Sequence, residues 1–287
     1  MTNVPRKFFV TYGDKRFRKA KKLIIKEAKK LNIFDEVISF SEKDLPPYIT
    51  ASPLFAFERG GGYWIWKPYI VHHVLSKKMK EGDILVYVDS GCQVNPSEQW
   101  DYYFNLMKDH NGIFFSYHEQ KDYRWKEFGF PESLKIGSWT KQIAINAFAP
   151  FSEGGALFEK NEMLSGFLFV KKDKKQQFTE EWLKTMLIYP ELVIDDLYIE
   201  KLKHTYPDYQ EHRHDQTLLT LLVYLLKDSN NLLVLEEQIE RLEEGAVLAR
   251  RRKDRFLKSK FRVSLSENPV ILKIYFFIKK KCQKWEK

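Results

Sequence analysis

The sequence predicts an α/β protein built around a largely parallel sheet. Three observations carry this reading. The chain opens with a strand, helix, strand order; residues 84–88 form an unbroken apolar run of the kind a strand covered on both faces needs; and strand-like runs alternate with amphipathic helical patterns over the first 117 residues. At 287 residues with 44% hydrophobic content, the chain can bury a full-sized core as one large domain with an appendage.

Lys7–Tyr12 reads as the first strand, closed by Gly13 and Asp14. From Arg16 to Leu31, Phe17, Ala20, Leu23, Ile24, Ala28 and Leu31 recur at helical spacing with lysines opposite, and Val37–Phe40 supplies the second strand. Residues 41–62 hold Pro46, Pro47 and Pro53 without periodicity and read as loop or short helix. Pro68 suits the first turn of a helix whose buried stripe is Ile70, Val71, Val74, Leu75 and Met79, ending near Gly82. Ile84–Val88 follows as a buried strand. Ser97–Asp109 is a helix, Gly112–Tyr117 a strand, 117–139 an aperiodic aromatic excursion, and 139–148 a short helix. Leu164–Val170 is a strand, Gln176–Leu187 a helix, and Gln216–Leu226 a strongly apolar helix.

The formal charge of +9 is unevenly distributed. From Leu248 to Lys287 there are 14 Lys and Arg against 3 Asp and Glu, so the preceding residues are close to neutral. A nucleic-acid groove across the main body is therefore not expected. The expected division is a body over residues 1–235 and a charged helical extension over 236–287. In that extension Arg250–Lys253 and the mixed basic and apolar run from 271 to 281 suit either a membrane-surface helix or a charged helix folded back on the body. Two cysteines, Cys92 and Cys282, do not make a disulfide framework. Together with an N-terminus lacking a signal-peptide core, they point to the cytoplasm, with any membrane contact peripheral.

Four stretches could carry chemistry. Asp89 ends the buried run and is followed at once by Ser90 and Gly91; it suits either a turn cap or contact with a bound nucleotide or its metal, since ligands of open α/β sheets sit beyond the carboxyl ends of strands. The run Arg59-Gly60-Gly61-Gly62-Tyr63-Trp64-Ile65-Trp66-Lys67-Pro68 joins three glycines, a helix start and two cations, which suits a diphosphate. Its aromatics either pack in the core or stack on a ring. Glu211-His212-Arg213-His214-Asp215-Gln216 opens the apolar helix, with Asp215 as a plausible N-cap, His214 as a possible metal ligand and Arg213 as a phosphate partner. Ser165-Gly166-Phe167 begins a strand at which a sugar could pass the Gly166 backbone.

Taken in order, Arg-Gly-Gly-Gly-Tyr-Trp-Ile-Trp-Lys-Pro, Gly-Asp-Ile-Leu-Val-Tyr-Val-Asp-Ser-Gly-Cys, Ser-Gly-Phe-Leu-Phe and Arg-His-Asp-Gln resemble the bacterial GT-A type glycosyltransferases of capsule and lipopolysaccharide assembly, over about residues 5–235. The resemblance implies a GT-A-like (Rossmann-like) mixed, mostly parallel sheet flanked by helices. It also implies transfer of a sugar from a nucleoside diphosphate donor, UDP-linked in the usual case, to a hydroxyl of a glycan or lipid-linked acceptor. On that basis Asp89, Asp215 and His214 are the expected catalytic residues. Tyr12, Arg59, Gly61, Gly62, Lys67, Asp89, Ser90, Gly91 and Arg213 would bind the donor, and Trp64, Trp66, Ser165 and Gly166 the acceptor. A divalent cation, Mn or Mg, would sit on Asp89 with help from His214, but Gly91 stands where the family's Asp-X-Asp motif has its second acid, so Arg59, Lys67 or Arg213 could carry the phosphate charge instead. Glu153 is a further candidate base. Two other classes compete: a sugar-phosphate nucleotidyltransferase, which would show a glycine-rich basic segment after the first strand where this chain has Tyr12-Gly13-Asp14-Lys15-Arg16, and a nucleic-acid binder using the basic tail.

Overall fold

The computed structural model describes residues 4–118, 133–174, 177–195, 204–236 and 245–252. Most of the 117–139 excursion and the basic tail beyond 252 lie outside these residues.

A six-stranded sheet runs in the order β2 (Glu36–Phe40), β1 (Lys7–Tyr12), β3 (Ile84–Val88), β6 (Phe167–Lys171), β5 (Gly112–Ser116), β7 (Leu232–Glu236). The pairings β1/β2, β1/β3 and β5/β7 are parallel, whereas β6 runs antiparallel to both neighbours. The sheet is thus mixed and mostly parallel, as expected. The reversal at β6 brings its first residues to the same end of the sheet as the last residues of β3: Val88 faces Phe167 across that pair. Two short strands, β4 (Gln93–Val94) and β8 (Val247–Leu248), form a separate antiparallel pair beside this end.

All five residues of β3 are buried because both sheet faces are covered. Leu85 and Tyr87 enter the core shared with helices α2 (Trp66–Lys77), α5 (Gln177–Ile188) and α6 (Asp215–Leu226). The alternate residues Ile84, Val86 and Val88 enter the core shared with α1 (Arg18–Leu31) and α3 (Gln99–Asp109). This is the period of two that a strand imposes, and each such apolar side chain contributes roughly 1.5–3 kcal/mol by leaving water. Helix α1 follows from its stripe: Ala20, Ile24 and Ala28 are its buried residues at every fourth position, and Asn32 ends it in a left-handed conformation, φ 54°. Helix α4 (Gln142–Phe148) buries Ala144, Ile145 and Phe148 on the α6 side of the sheet.

Strand β1 leads outward to β2 on one side and the chain then returns to β3 on the other, so the β1/β3 junction is a topological switch point. The carboxyl ends of these two strands are where such a fold opens a crevice. Beyond residue 235, β8 and its flanks pack on the body, with Ala246, Val247 and Leu248 all buried. No helix among the described residues is long and apolar enough to cross a membrane.

Candidate active site

Asp89 sits immediately past the end of β3, its backbone N–H donating to Gly166 O (2.8 Å) and its carbonyl accepting from Cys92 N–H (2.9 Å). The side chain is 37% exposed, so it looks into solvent while its base is fixed. Two groups hold it from below. Tyr87, two residues earlier on the same strand face, donates its hydroxyl to Asp89 Oδ1. Burial and then the neighbouring Asp89 charge push the phenol well above its ordinary range, so the proton stays on Tyr87. The Lys67 ammonium lies 3.8 Å from the same Oδ1. From the other side Gly166 closes in, since a Cβ there would stand 2.9 Å from Asp89 Oδ2. The carboxylate needs the space that the missing side chain leaves.

Lys67, on the first turn of α2, is 1% exposed and donates to Asp215 Oδ2 (2.8 Å) and Ser165 Oγ (2.9 Å). Desolvation alone would lower its pKa, but Asp215 and then Asp89 outweigh that and hold it raised, so it is a permanent buried cation. Asp215 is correspondingly not an N-cap. It is the first residue of α6, His214 occupies the cap position without a side-chain cap bond, and the Asp215 carboxylate is turned to Lys67. Residues from four distant parts of the sequence, Lys67, Asp89, Ser165 and Asp215, are thereby joined in one cluster of hydrogen bonds and ion pairs.

The glycine run forms a turn of unusual hand. Gly60, Gly61, Gly62, Tyr63 and Trp64 all have positive φ, between 49° and 91°. Glycine adopts this freely, whereas Tyr63 and Trp64 each sustain roughly 1–2 kcal/mol of strain. The N–H groups of Gly61 and Gly62 donate to Glu58 O (3.1 Å) and Phe57 O (2.9 Å). The turn directs aromatics. Trp66 is turned into the core, stacked on Tyr12 at 3.9 Å with its indole N–H on Gly60 O (2.9 Å). Trp64 stays partly exposed and stacks on His214 (5.8 Å, 21°).

His214 has φ 55° and ψ −120°, a further strained non-glycine residue in the same cluster. Its Nδ1 meets Val193 O at 2.6 Å, and its Nε2 lies 3.5 Å from Asp195 Oδ1. Desolvation lowers its pKa to about 4, so the ring is neutral near pH 7. Asp195 also accepts from Arg59 (2.8 Å) and from the Tyr63 hydroxyl (2.7 Å). It is the organiser of this half of the site and was absent from the sequence reading. Only its separation of 136 residues from Arg59 reveals why: nothing local marks it.

The remaining expected residues fall at varied places. Arg59 is 4.0 Å from Glu211 as well as bound to Asp195. Arg213 lies flat on Trp139 at 3.9 Å and 3.7 Å from Glu211. Tyr12 is buried, its hydroxyl without a partner among the described residues. Ser90 is buried behind Asp89, and Glu153 is exposed in the turn around Gly154, with φ 47°. One buried acid was also missed: Glu162 is 2% exposed, and among the described residues neither of its carboxyl oxygens meets a hydrogen-bond partner in good geometry. Desolvation pushes its pKa up to about 8, with Arg213 pulling the other way.

A divalent metal on Asp89 and His214 would share these residues with the partners they already have. Asp89 Oδ1 already receives Tyr87 and faces the Lys67 ammonium, and the His214 Nε2 is directed at Asp195. On Gly91, a Cβ would stand 3.5–3.7 Å from the backbone of Arg251 and Arg252, so the second acid's direction is filled by main chain. Among the described residues no three His, Cys, Asp or Glu side chains converge to hold a metal.

No family model and no curated protein sequence matches the chain. Solved structures are similar at a distance. One is a glycosyltransferase involved in glycosylation of the major capsid of PBCV-1 (TM-score 0.41, 13% identity, covering 81% of this chain and 83% of that one). Another is mouse xyloside xylosyltransferase 1 in its apo form (TM-score 0.41, 10% identity, 81% and 85%). A third is the galactosyltransferase LgtC in complex with donor and acceptor sugar analogues (TM-score 0.33, 11% identity, 79% and 72%).

Proposed function

We propose that the chain is a glycosyltransferase that moves a sugar from a nucleoside diphosphate donor to an acceptor hydroxyl. The observation that carries this reading is Asp89: a half-exposed carboxylate at the switch point of a mixed α/β sheet, gripped by a buried tyrosine and a buried lysine and left open on one side by Gly166. An acid so fixed binds a sugar or ribose hydroxyl in a set orientation, and orientation is a large part of catalysis by proximity. The acceptor oxygen attacks the anomeric carbon, the bond to the diphosphate breaks, the diphosphate leaves with the electron pair, and the hydroxyl proton passes to the departing diphosphate or to water. Trp64, partly exposed, offers an indole for a sugar ring. Asp215 serves by holding Lys67, since at 4% side-chain exposure and in contact with the ammonium it is closed to an acceptor.

The ordered sequence motifs favour surface-polysaccharide synthesis, with a UDP-linked donor and a glycan or lipid-linked acceptor. The basic stretch after Arg252 would hold the enzyme at an anionic membrane surface. The experiment is a panel of nucleoside diphosphate sugars offered to the full chain and to Asp89→Asn, reading release of the nucleoside diphosphate and thermal stabilisation. Stabilisation of the wild type by one diphosphate class, with turnover lost at least 100-fold in the variant, is expected. A chain that responds to no nucleotide but is stabilised by RNA or DNA would refute the reading.

A further inference from the structure

We propose that the outward face of helix α1 is a docking surface for a leaflet of anionic phospholipid, a second basic face that lies on the body itself and is separate from the basic stretch after Arg252. The choice of a lipid rests on the glycosyl-transfer reading, in which the acceptor can be lipid-linked.

Helix α1 carries seven Lys and Arg against one Glu. Its buried residues are Ala20, Ile24 and Ala28, so at about 100° per residue the opposite side is Arg18, Lys22, Lys26 and Lys29, with Lys30 at its edge. All five are exposed. From Arg18 to Lys30 the stripe is about 18 Å long. Ile24 and Ala28 pack in the core beneath, which turns the cationic side of the helix away from the sheet.

These charges do not serve the helix that carries them. Arg18 stands in the first turn, which holds no acid and where the positive end of the helix dipole disfavours a cation. Arg18 and Lys22, Lys22 and Lys26, and Lys26 and Lys30 are like charges four residues apart, an arrangement that destabilises a helix. The one carboxylate, Glu27, is turned to the Arg252 guanidinium (2.7 and 3.0 Å) and the Val94 N–H (3.3 Å). Among the described residues no carboxylate pairs with Arg18, Lys22, Lys26, Lys29 or Lys30. A cationic stripe that works against its own helix is matched by a surface of opposite sign, and a basic cluster of this size on an amphipathic helix suits an anionic leaflet.

Two placements favour a leaflet over another polyanion. The contact of Arg252 with Glu27 means that the chain enters its basic tail beside α1, so both basic stretches share one side of the body. The stripe also begins at the crevice end of the sheet: Asp14 and Arg16, just ahead of α1, come within 3.9 Å of where a Cβ on Gly61 would stand. A leaflet against α1 therefore passes beside the crevice in which a lipid-linked acceptor would react. The contact is one of charge, so it weakens with salt.

The test is flotation of the full chain with vesicles of phosphatidylcholine alone and with about 30% phosphatidylglycerol, at about 0.1 M and about 0.5 M salt, beside binding of a fluorescent single-stranded RNA. The variants are K22Q/K26Q/K29Q and, as an equal loss of charge elsewhere, K77Q/K78Q/K80Q, three exposed lysines at the end of α2 and in the turn before β3. Binding to the phosphatidylglycerol vesicles alone is expected, lost at the higher salt, weakened at least about 10-fold by K22Q/K26Q/K29Q and held within about 2-fold in K77Q/K78Q/K80Q. K22Q/K26Q/K29Q is also expected to melt no lower than wild type, because it relieves repulsion. Equal vesicle binding by the two triple variants, a lower melting temperature in K22Q/K26Q/K29Q, or RNA binding that this variant loses while vesicle binding is unchanged would overturn the docking surface. Release of nucleoside diphosphate from donor sugars is read separately, so turnover without vesicle binding overturns the docking surface alone, and vesicle binding without turnover overturns the glycosyl-transfer reading alone.

Discussion

Lys67 Nζ lies 2.8 Å from Asp215 Oδ2, and both side chains are almost wholly withdrawn from water. A pair so placed is costly to break from one side, because the surviving charge is left buried and alone. Lys67→Met is therefore expected to lose about 3–5 kcal/mol of stability, and K67M/D215L is expected to recover a large part of that loss. Urea denaturation of the single and double variants decides it. A single variant within about 1 kcal/mol of wild type, the range of an exposed pair, would remove the charge-holding role.

Gly166→Ala and Gly91→Ala make a contrast. The first puts a Cβ 2.9 Å from Asp89 Oδ2, where something must shift; the second makes ordinary contacts of 3.5 Å or more. Transfer activity is expected to fall at least 10-fold in Gly166→Ala and to stay within about 2-fold in Gly91→Ala, the reverse of what a backbone-flexibility requirement at Gly91 would give.

Glu162 makes stability fall on the alkaline side. Its native pKa of about 8 is above its ordinary value of 4.5, so the native state keeps a proton that the unfolded chain has released. Stability from the neutral carboxyl is complete below about pH 4.5 and declines as pH rises towards 8, by an upper limit of about 5 kcal/mol. Glu162→Gln is expected to flatten this slope and to be the more stable protein at pH 8.5. Chemical denaturation at pH 6, 7 and 8.5 measures it, and parallel curves for the two proteins would contradict the assignment. The Thr217 and Thr220 hydroxyls favour the charged carboxylate only in part, since they also donate to Trp139 O and Gln216 O.

The histidines act in the opposite direction. Burial first, then neighbouring cations or His214, lowers His212 well below 6.5, and His214 falls to about 4. The unfolded chain then takes up protons before the native state does. Their contribution is complete above about pH 6.5 and is lost as pH falls towards 4. Thermal melts of wild type and His214→Gln between pH 7 and pH 4.5 should converge as the pH drops. No inflection from His214 should be seen in a pH–rate profile between 6 and 7.

Much of the fold was legible because periodicity reports burial directly. The runs at 7–12, 84–88 and 112–116 and the helical stripes at 20, 24 and 28 correspond to observed strands and to α1. The direction of β6 was not legible: Phe-Leu-Phe-Val-Lys is equally apolar in either sense, and only its register against Val88 fixes it. Strand β7 follows α6 after only a few residues and was not assigned from the sequence. In the site, Lys67, Asp89, Ser165 and Asp215 stood out as polar groups beside strand or helix ends. Asp195 and Glu162 did not, because each gains its role mainly from residues far away in sequence, Arg59 and Tyr63 for the first and Arg213 for the second. Tyr87 was hidden by its own strand, where a phenol looks like any other core aromatic.

The pairing of β8 with β4 also sets a schedule. Residues 93–94 and 247–248 are complementary edges of one small sheet, yet they leave the ribosome about 150 residues apart. At about 5–20 residues per second, residues 93–94 wait roughly 10–30 s for the strand that pairs with them. The large sheet can form in that interval, but the crevice at its end can acquire its final wall only after nearly the whole body has been made. Competence of the site is thereby tied to completion of the body that carries it.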